Sequence, residues 1–191
     1  MKRGATKEEI IRTTQDLITR NGIRAVRVDE IAQRLGISKR TLYEMFADKN
    51  DLISACLDDL ARRQRIAASR RRRSGNPLQR TLRLANDYID SLYTVDHSFL
   101  ADIRRKVLFA EQYDEHREFW RKELSLNLEE CRGGGLLLSE IDTAALAEQL
   151  MSTLFELRLN RTTREELYLL CRTILRGAAT QQGIDLIDRK P

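Results

Sequence analysis

The feature that most restricts this chain is its near-absence of proline. Only Pro77 and Pro191 occur in 191 residues, so little in the sequence forbids long helices. Apolar residues recur at three- and four-residue spacing along most of the chain, and the period-two alternation of a half-buried strand is nearly missing. The expected fold class is all-α. At 41% hydrophobic and 33% charged residues, the chain suits a folded protein with a real core rather than a disordered one. No apolar run reaches the ~18 residues that a membrane helix needs, so no membrane partner is expected.

Cap and turn residues divide this helical pattern. Thr6-Lys7-Glu8-Glu9 reads as a capping box, opening a helix that Asn21-Gly22 ends. A second helix is expected at 29–35, with Asp29 as its cap and Gly36 as a left-handed turn residue. Ser38 should cap a third helix, running to about residue 46. Asp48 should cap a fourth, running to about residue 73, with Asp51 in its first turn, where a carboxylate suits the helix dipole. Ser74-Gly75-Asn76-Pro77 stops that helix and starts the next. Helices are then expected at about 78–93, 97–112 and 114–131, followed by an interruption at Gly133-Gly134-Gly135. Asp142 should cap a helix to about residue 159, and Thr163 a last one to about residue 180. The layout is about nine helices, with a three-helix unit at 1–47 and a helical body at 48–191.

Charge separates the two parts. Residues 1–76 hold 18 Lys and Arg against 10 Asp and Glu, whereas residues 77–191 hold 16 against 19. A basic front suits a polyanionic partner, although a solvated basic face gives the same balance. Within that front, helix, glycine turn and helix is the layout of a helix-turn-helix. Ile31, Ala32, Leu35, Ile37, Leu42 and Phe46 can close a small core, leaving Lys39, Arg40, Thr41 and Tyr43 outward. Cations and hydroxyls are what phosphates and base edges require. An exposed polar face with no partner is the simpler alternative at this point.

Residues 27–52, RVDEIAQRLGISKRTLYEMFADKNDL, resemble the N-terminal signature of the TetR family of transcriptional regulators. The resemblance rests on Ile31-Ala32, Gly36-Ile37-Ser38, Thr41-Leu42-Tyr43, Phe46, Lys49 and Leu52. It implies a double-stranded DNA operator, a homodimer and a small-molecule effector as partners. By this resemblance Tyr43 and Lys49 bond backbone phosphates, while Ser38, Lys39, Arg40 and Thr41 face bases and backbone. Arg40 stands where many family members carry a small residue, and either a guanine or a phosphate would suit it. One departure is Arg27, which stands where the family usually has a capping threonine. It leaves the cap to another residue while offering a charge for phosphate.

In the rear, residues 144–159 and 167–179 are too apolar for one packed face. A core face plus a self-association face explains this, as would packing entirely within one subunit. The resemblance implies that these two helices pair with a second copy, and Leu150, Leu154, Leu167, Leu170 and Ile174 are the interface candidates. It also implies an effector pocket among the helices of 78–131. The candidate lining residues are Leu100, Ile103, Val107, Phe109, Trp120 and Leu124, for each of which plain core packing is the competing role.

Other features point to blander roles. Arg62, Arg63, Arg65 and Arg70-Arg71-Arg72-Arg73 read as a solvated face and as cations at a helix C-terminus. His97 and His116 show no ligand spacing with the carboxylates near them, so no metal or other cofactor is expected. The triple glycine lacks the Lys-Ser/Thr of a phosphate loop. No catalytic constellation is present, so no enzyme is expected. Cys56, Cys131 and Cys171 are odd in number and lie in apolar contexts, which suits reduced buried thiols and a cytoplasmic setting. The opening MKRGATKEEIIR lacks the apolar stretch of a secretory leader. The expected function is ligand-responsive, DNA-binding transcriptional regulation, most simply repression. The alternative is a helical protein-interaction module without sequence-specific DNA binding.

Overall fold

In the computed structural model of this chain, residues 5–71, 75–105 and 109–188 are described. Among them run ten α-helices: α1 Lys7–Asn21, α2 Val28–Leu35, α3 Lys39–Tyr43, α4 Lys49–Arg71, α5 Pro77–Tyr93, α6 His97–Arg104, α7 Ala110–Gly133, α8 Thr143–Leu159, α9 Arg164–Gly177 and α10 Gln181–Asp188. The fold is all-α, as the periodicity requires. Residues group into two compact units, Met1–Gln64 with Thr94–Asp114, and Arg65–Tyr93 with Glu115–Pro191. None of the helices is long and apolar enough to cross a membrane, among the described residues.

The first unit is built on α1. Thr6 Oγ1 accepts from the Glu9 backbone N–H at 3.2 Å and Glu9 Oε2 accepts from the Thr6 N–H at 2.8 Å, a closed capping box. The helix buries Ile10, Leu17 and Ile18 in one core with Ile31, Ala32, Leu42 and Phe46, and α1 packs on α2, and α2 on α3. Each large aliphatic side chain in this core contributes about 1.5–3 kcal/mol by leaving water. Gly36 takes the left-handed conformation at φ 64°, ψ 31°, which closes the turn between α2 and α3.

Helix α6 braces the C-terminal end of α1. Asp96 N–H donates to the Thr19 carbonyl at 2.6 Å, and Asp102 Oδ2 accepts from Arg24 N–H at 3.1 Å. Gly22, at φ +83°, lies so close that a Cβ there would stand 2.9 Å from Asp102 Oδ2.

The first turn of α4 is held by a reciprocal pair. Asp48 Oδ1 accepts from Asp51 N–H and Asp51 Oδ2 from Ala47 N–H, both at 2.8 Å. Further along, buried Gln15 reaches from α1 and donates to the Cys56 carbonyl at 3.0 Å and to Asp59 Oδ2 at 2.9 Å. Partial burial alone would raise the Asp59 pKa, but the bonds from Gln15 and Arg62 and the charge of Arg63 outweigh it and hold it below the usual aspartate range. Two members of the basic run, Arg62 and Arg63, are thus ion-paired to Asp59. Residues 72–73 of that run lie outside the described residues.

In the second unit α5 packs on α8, α9 and α10. Pro77 opens α5 at its first helical position, where its missing N–H costs nothing, and Asn76 Oδ1 caps it by accepting from Gln79 N–H at 2.9 Å. The core includes Leu78, Ile89, Trp120, Leu124, Leu128, Leu150, Leu154, Leu167, Cys171 and Leu175. All three cysteines are buried and unpaired, and burial pushes the Cys56 and Cys171 thiols up to about 12.

Several boundaries differ from the sequence reading. Helix α3 ends at Tyr43, not near residue 46, and beyond it the Met45 N–H bonds the Leu42 carbonyl only three residues back, a tighter turn than the α-helix. Asp29 does not cap α2. Arg27 takes the cap position without a side-chain bond, and Asp29 lies inside the first turn. Helix α6 stops at Arg104 and α7 begins at Ala110, where one helix to 112 and another from 114 were expected.

The tenth helix was not expected. After Gly135, at φ +70°, the chain extends and forms an isolated antiparallel bridge between Leu137 and Ala179. Leu138 N–H donates to the Ala178 carbonyl and Thr180 N–H to the Leu136 carbonyl, both at 3.0 Å. Helix α10 then lies so near this segment that a Cβ on Gly183 would come within 2.2 Å of the Leu136 carbonyl oxygen.

Candidate nucleic-acid interface

Short helices with firm anchors present the candidate residues. Ser38 caps α3, its Oγ accepting from Thr41 N–H at 3.0 Å and lying 3.0 Å from Thr41 Oγ1. Leu42 is fully buried and Phe46 nearly so, under a cation–π contact in which Lys7 Nζ stands 4.9 Å from the ring centroid. With that side fixed, Lys39, Arg40, Tyr43 and Glu44 are exposed and Thr41 is half-buried. Tyr43 keeps 45% of its surface in solvent. Lys49, half-buried, is the first residue of α4.

These side chains fall into two groups. Lys39 Nζ lies 2.5 Å from Asp29 Oδ1, and Arg40 Nε lies 3.1 Å from Glu44 Oε1. Both cations are therefore held by carboxylates of the same unit. Arg27, Tyr43 and Lys49 make no hydrogen bond or ion pair through their side chains among the described residues. Sequence reasoning missed the two carboxylates. The i,i+4 spacing of Arg40 and Glu44 is the signal that could have found one of them; the Asp29–Lys39 pair joins two helices and has no local spacing to betray it.

The other candidates are placed as follows. Leu100 and Ile103 are buried on α6 in the first unit, and half-buried Phe109, in left-handed backbone at φ 66°, belongs to the same unit. Val107 lies outside the described residues. Trp120 and Leu124 are buried in the second unit. Trp120 is ringed by Tyr88, Phe119 and His116, with centroids 5.7, 5.5 and 6.3 Å away. Its indole N–H donates to His116 Nε2 at 3.3 Å, and burial lowers the His116 pKa to about 4, so the ring is neutral at pH 7. In the rear helices Leu150, Leu154 and Leu167 are buried within the single chain, Leu170 and Ile174 are half-buried, and Leu169 is 66% exposed. A cavity of about 360 Å³ beside it is lined by Leu82, Asn86, Tyr168, Leu169, Arg172 and Ile187.

Residues 10–56 match the family profile of bacterial regulatory proteins, tetR family. That span runs from within α1 through α2 and α3 into the start of α4. The likeness to that family is carried by this N-terminal stretch, about a quarter of the chain. Over 51 residues the chain is 43% identical to an uncharacterised HTH-type transcriptional regulator of Mycobacterium tuberculosis, a stretch that is 27% of this chain and 21% of that protein. The chain thus spans about a fifth of the length of the curated relatives it matches.

Solved structures extend the likeness in fold alone. A transcriptional regulator from Saccharomonospora viridis in complex with choline aligns with TM-score 0.79 at 17% identity, over 91% of this chain and 96% of that one. A TetR transcription regulator from Haloarcula marismortui aligns with TM-score 0.78 at 18% identity, over 91% and 98%. A gamma-butyrolactone receptor aligns with TM-score 0.71 at 21% identity, over 94% and 91%.

Proposed function

We propose that this chain is a ligand-responsive transcriptional regulator of the TetR family, most simply a repressor, that binds a near-palindromic DNA operator as a homodimer in the cytoplasm. The supporting observation is the outward face of α3 with the start of α4. There Tyr43 and Lys49 offer donors with no protein partner among the described residues, as Arg27 does at the N-cap of α2, and the other side of α3 is locked by Leu42 and Phe46. Donors left in that state suit phosphate oxygens, which position a protein on a duplex without reading sequence. Ser38, Lys39, Arg40 and Thr41 then meet the bases and nearby backbone. Two such helices in a twofold dimer would read half-sites about 34–36 Å apart.

By function, residues 1–47 form the DNA-binding part and 48–191 the ligand-binding and dimerisation part. In the dimer, Leu170, Ile174 and exposed Leu169 face the second copy, and Leu150, Leu154 and Leu167 support that face from beneath. Of the sequence-based candidates, Trp120 and Leu124, buried in the second unit, are the residues proposed to meet the effector. The choline in one fold relative and the receptor role of another support a small organic effector, without naming it. Such a ligand must bind the DNA-competent and DNA-free states unequally to act. This reading assigns no catalytic role.

A mobility shift on the DNA upstream of the chain's own gene tests the reading. A salt-sensitive, sequence-dependent shift is expected. A helical interaction module would give none, and a monomer in sedimentation at micromolar concentration would remove the dimer.

A further inference from the structure

Glu44 is an acid on the face that the proposed function turns towards DNA. It follows Tyr43 at the C-terminal cap of α3, in helical backbone at φ −71°, ψ −23°. One helical turn behind it, Arg40 Nε lies 3.1 Å from its Oε1, with the two side chains 90% and 61% exposed. Between them in sequence, Leu42 is buried and Tyr43 points outward. The acid therefore shares a face with the residues that would enter the groove.

A carboxylate in that position has few favourable neighbours on a duplex. Phosphates repel it. The groups that welcome it are the exocyclic amines of bases, above all cytosine N4–H in the major groove. Its partner is constrained in the same direction. An arginine neutralised by a carboxylate 3.1 Å away brings no net charge to a phosphate, so it releases little counterion and makes a weak clamp. Its terminal nitrogens still carry the paired donors that fit guanine O6 and N7. The second carboxylate oxygen of Glu44 remains to accept a bond, and successive base pairs lie about 3.4 Å apart, within the span of the joined side chains.

We propose that Arg40 and Glu44 act as one reading unit, with Arg40 on a guanine and Glu44 on the cytosine of the same or the neighbouring base pair. Glu44 is thereby a specificity-determining residue at the operator. This deepens the DNA-binding reading and rests on it. It also separates Arg40 from Arg27, Tyr43 and Lys49, which anchor to phosphate.

The test is selection from a randomised half-site library by the full-length chain, repeated with Glu44→Gln, Glu44→Ala and Arg40→Ala, with the salt dependence of binding measured for each. Glu44 is exposed, so these variants should fold. Wild type should enrich a guanine and a cytosine at the same or adjacent positions. Glu44→Ala should lose the cytosine preference, a change of about 5- to 100-fold in relative affinity, and keep preferences elsewhere. Arg40→Ala should lose the guanine preference with little change in salt slope. Unchanged base preference in Glu44→Ala, with affinity raised for every sequence and a steeper salt slope, would overturn the inference and leave Glu44 as a mere electrostatic restraint. No binding of any DNA by the wild type would defeat the DNA-binding reading itself, and this inference with it.

Discussion

On α3, Lys39, Arg40, Tyr43 and Glu44 stand outward and Leu42 alone of the helix is buried. On α8 and α9 a larger apolar set is buried, with Leu150, Met151, Leu154, Leu167, Cys171 and Leu175 all at 1% exposure or less. The first region uses one buried leucine to hold a display of donors and acceptors. The second packs one side of each helix on large apolar residues and leaves the other side, which includes Leu169, in solvent. Chemistry in the front should thus be separable from stability, whereas in the rear the two are tied.

The largest expected effect uses that difference. Leu154→Ala should cost about 2–5 kcal/mol of stability through reduced burial and a residual cavity, seen as a lower denaturant midpoint. Tyr43→Ala should shift the midpoint by no more than about 0.5 kcal/mol while weakening DNA binding. Equal midpoints for the two variants would break the comparison.

The next effect tests the close approach behind α9. Gly183→Ala drives a methyl group into the Leu136 carbonyl oxygen, and overpacking of this kind costs about 1–3 kcal/mol. A variant as stable as wild type would mean that α10 sits farther from the 136–138 segment.

A smaller effect concerns acid. Bonds from Gln15 and Arg62 hold the Asp59 pKa below its ordinary value in the folded chain. A lowered folded pKa means that the unfolded state binds the proton more readily. The resulting stability is present above the unfolded aspartate value, about 4, and is lost as pH falls through the folded one. Asp59→Asn should therefore flatten the acid limb of a plot of midpoint against pH. An unchanged limb would show that the network carries no linked proton. The smallest effect on folding belongs to Leu169→Ser, which should leave the unfolding transition of the single chain within about 0.5 kcal/mol yet raise the dimer dissociation constant in sedimentation.

The same contrast explains what could be read from the sequence. Local rules found the capping box at Thr6, the left-handed Gly36 and the caps at Ser38, Asp142 and Thr163, because each is set by neighbours within four residues. Helix α10 escaped because QQGIDLID has a glycine inside its apolar stripe and owes its placement to backbone 47 residues earlier in the chain, at Leu136. Asp102 lies near His97 in sequence, but it receives the Arg24 N–H and pairs with the Arg24 guanidinium, a partnership that no spacing announces. At the interface the donors were legible by type and position. The carboxylates opposing two of them were not, since only the folded unit brings Asp29 against Lys39.

The central claim is that the outward face of α3 and the first residue of α4 anchor the chain to duplex DNA. Its most direct test is the slope of log affinity against log salt for the upstream DNA, in wild type, Tyr43→Phe and Lys49→Ala. The account predicts weaker binding in both variants and, for Lys49→Ala, a slope shallower by about 0.9 for each phosphate that the lysine no longer neutralises, with the denaturant midpoint unchanged. A slope and affinity equal to wild type in both variants would contradict it.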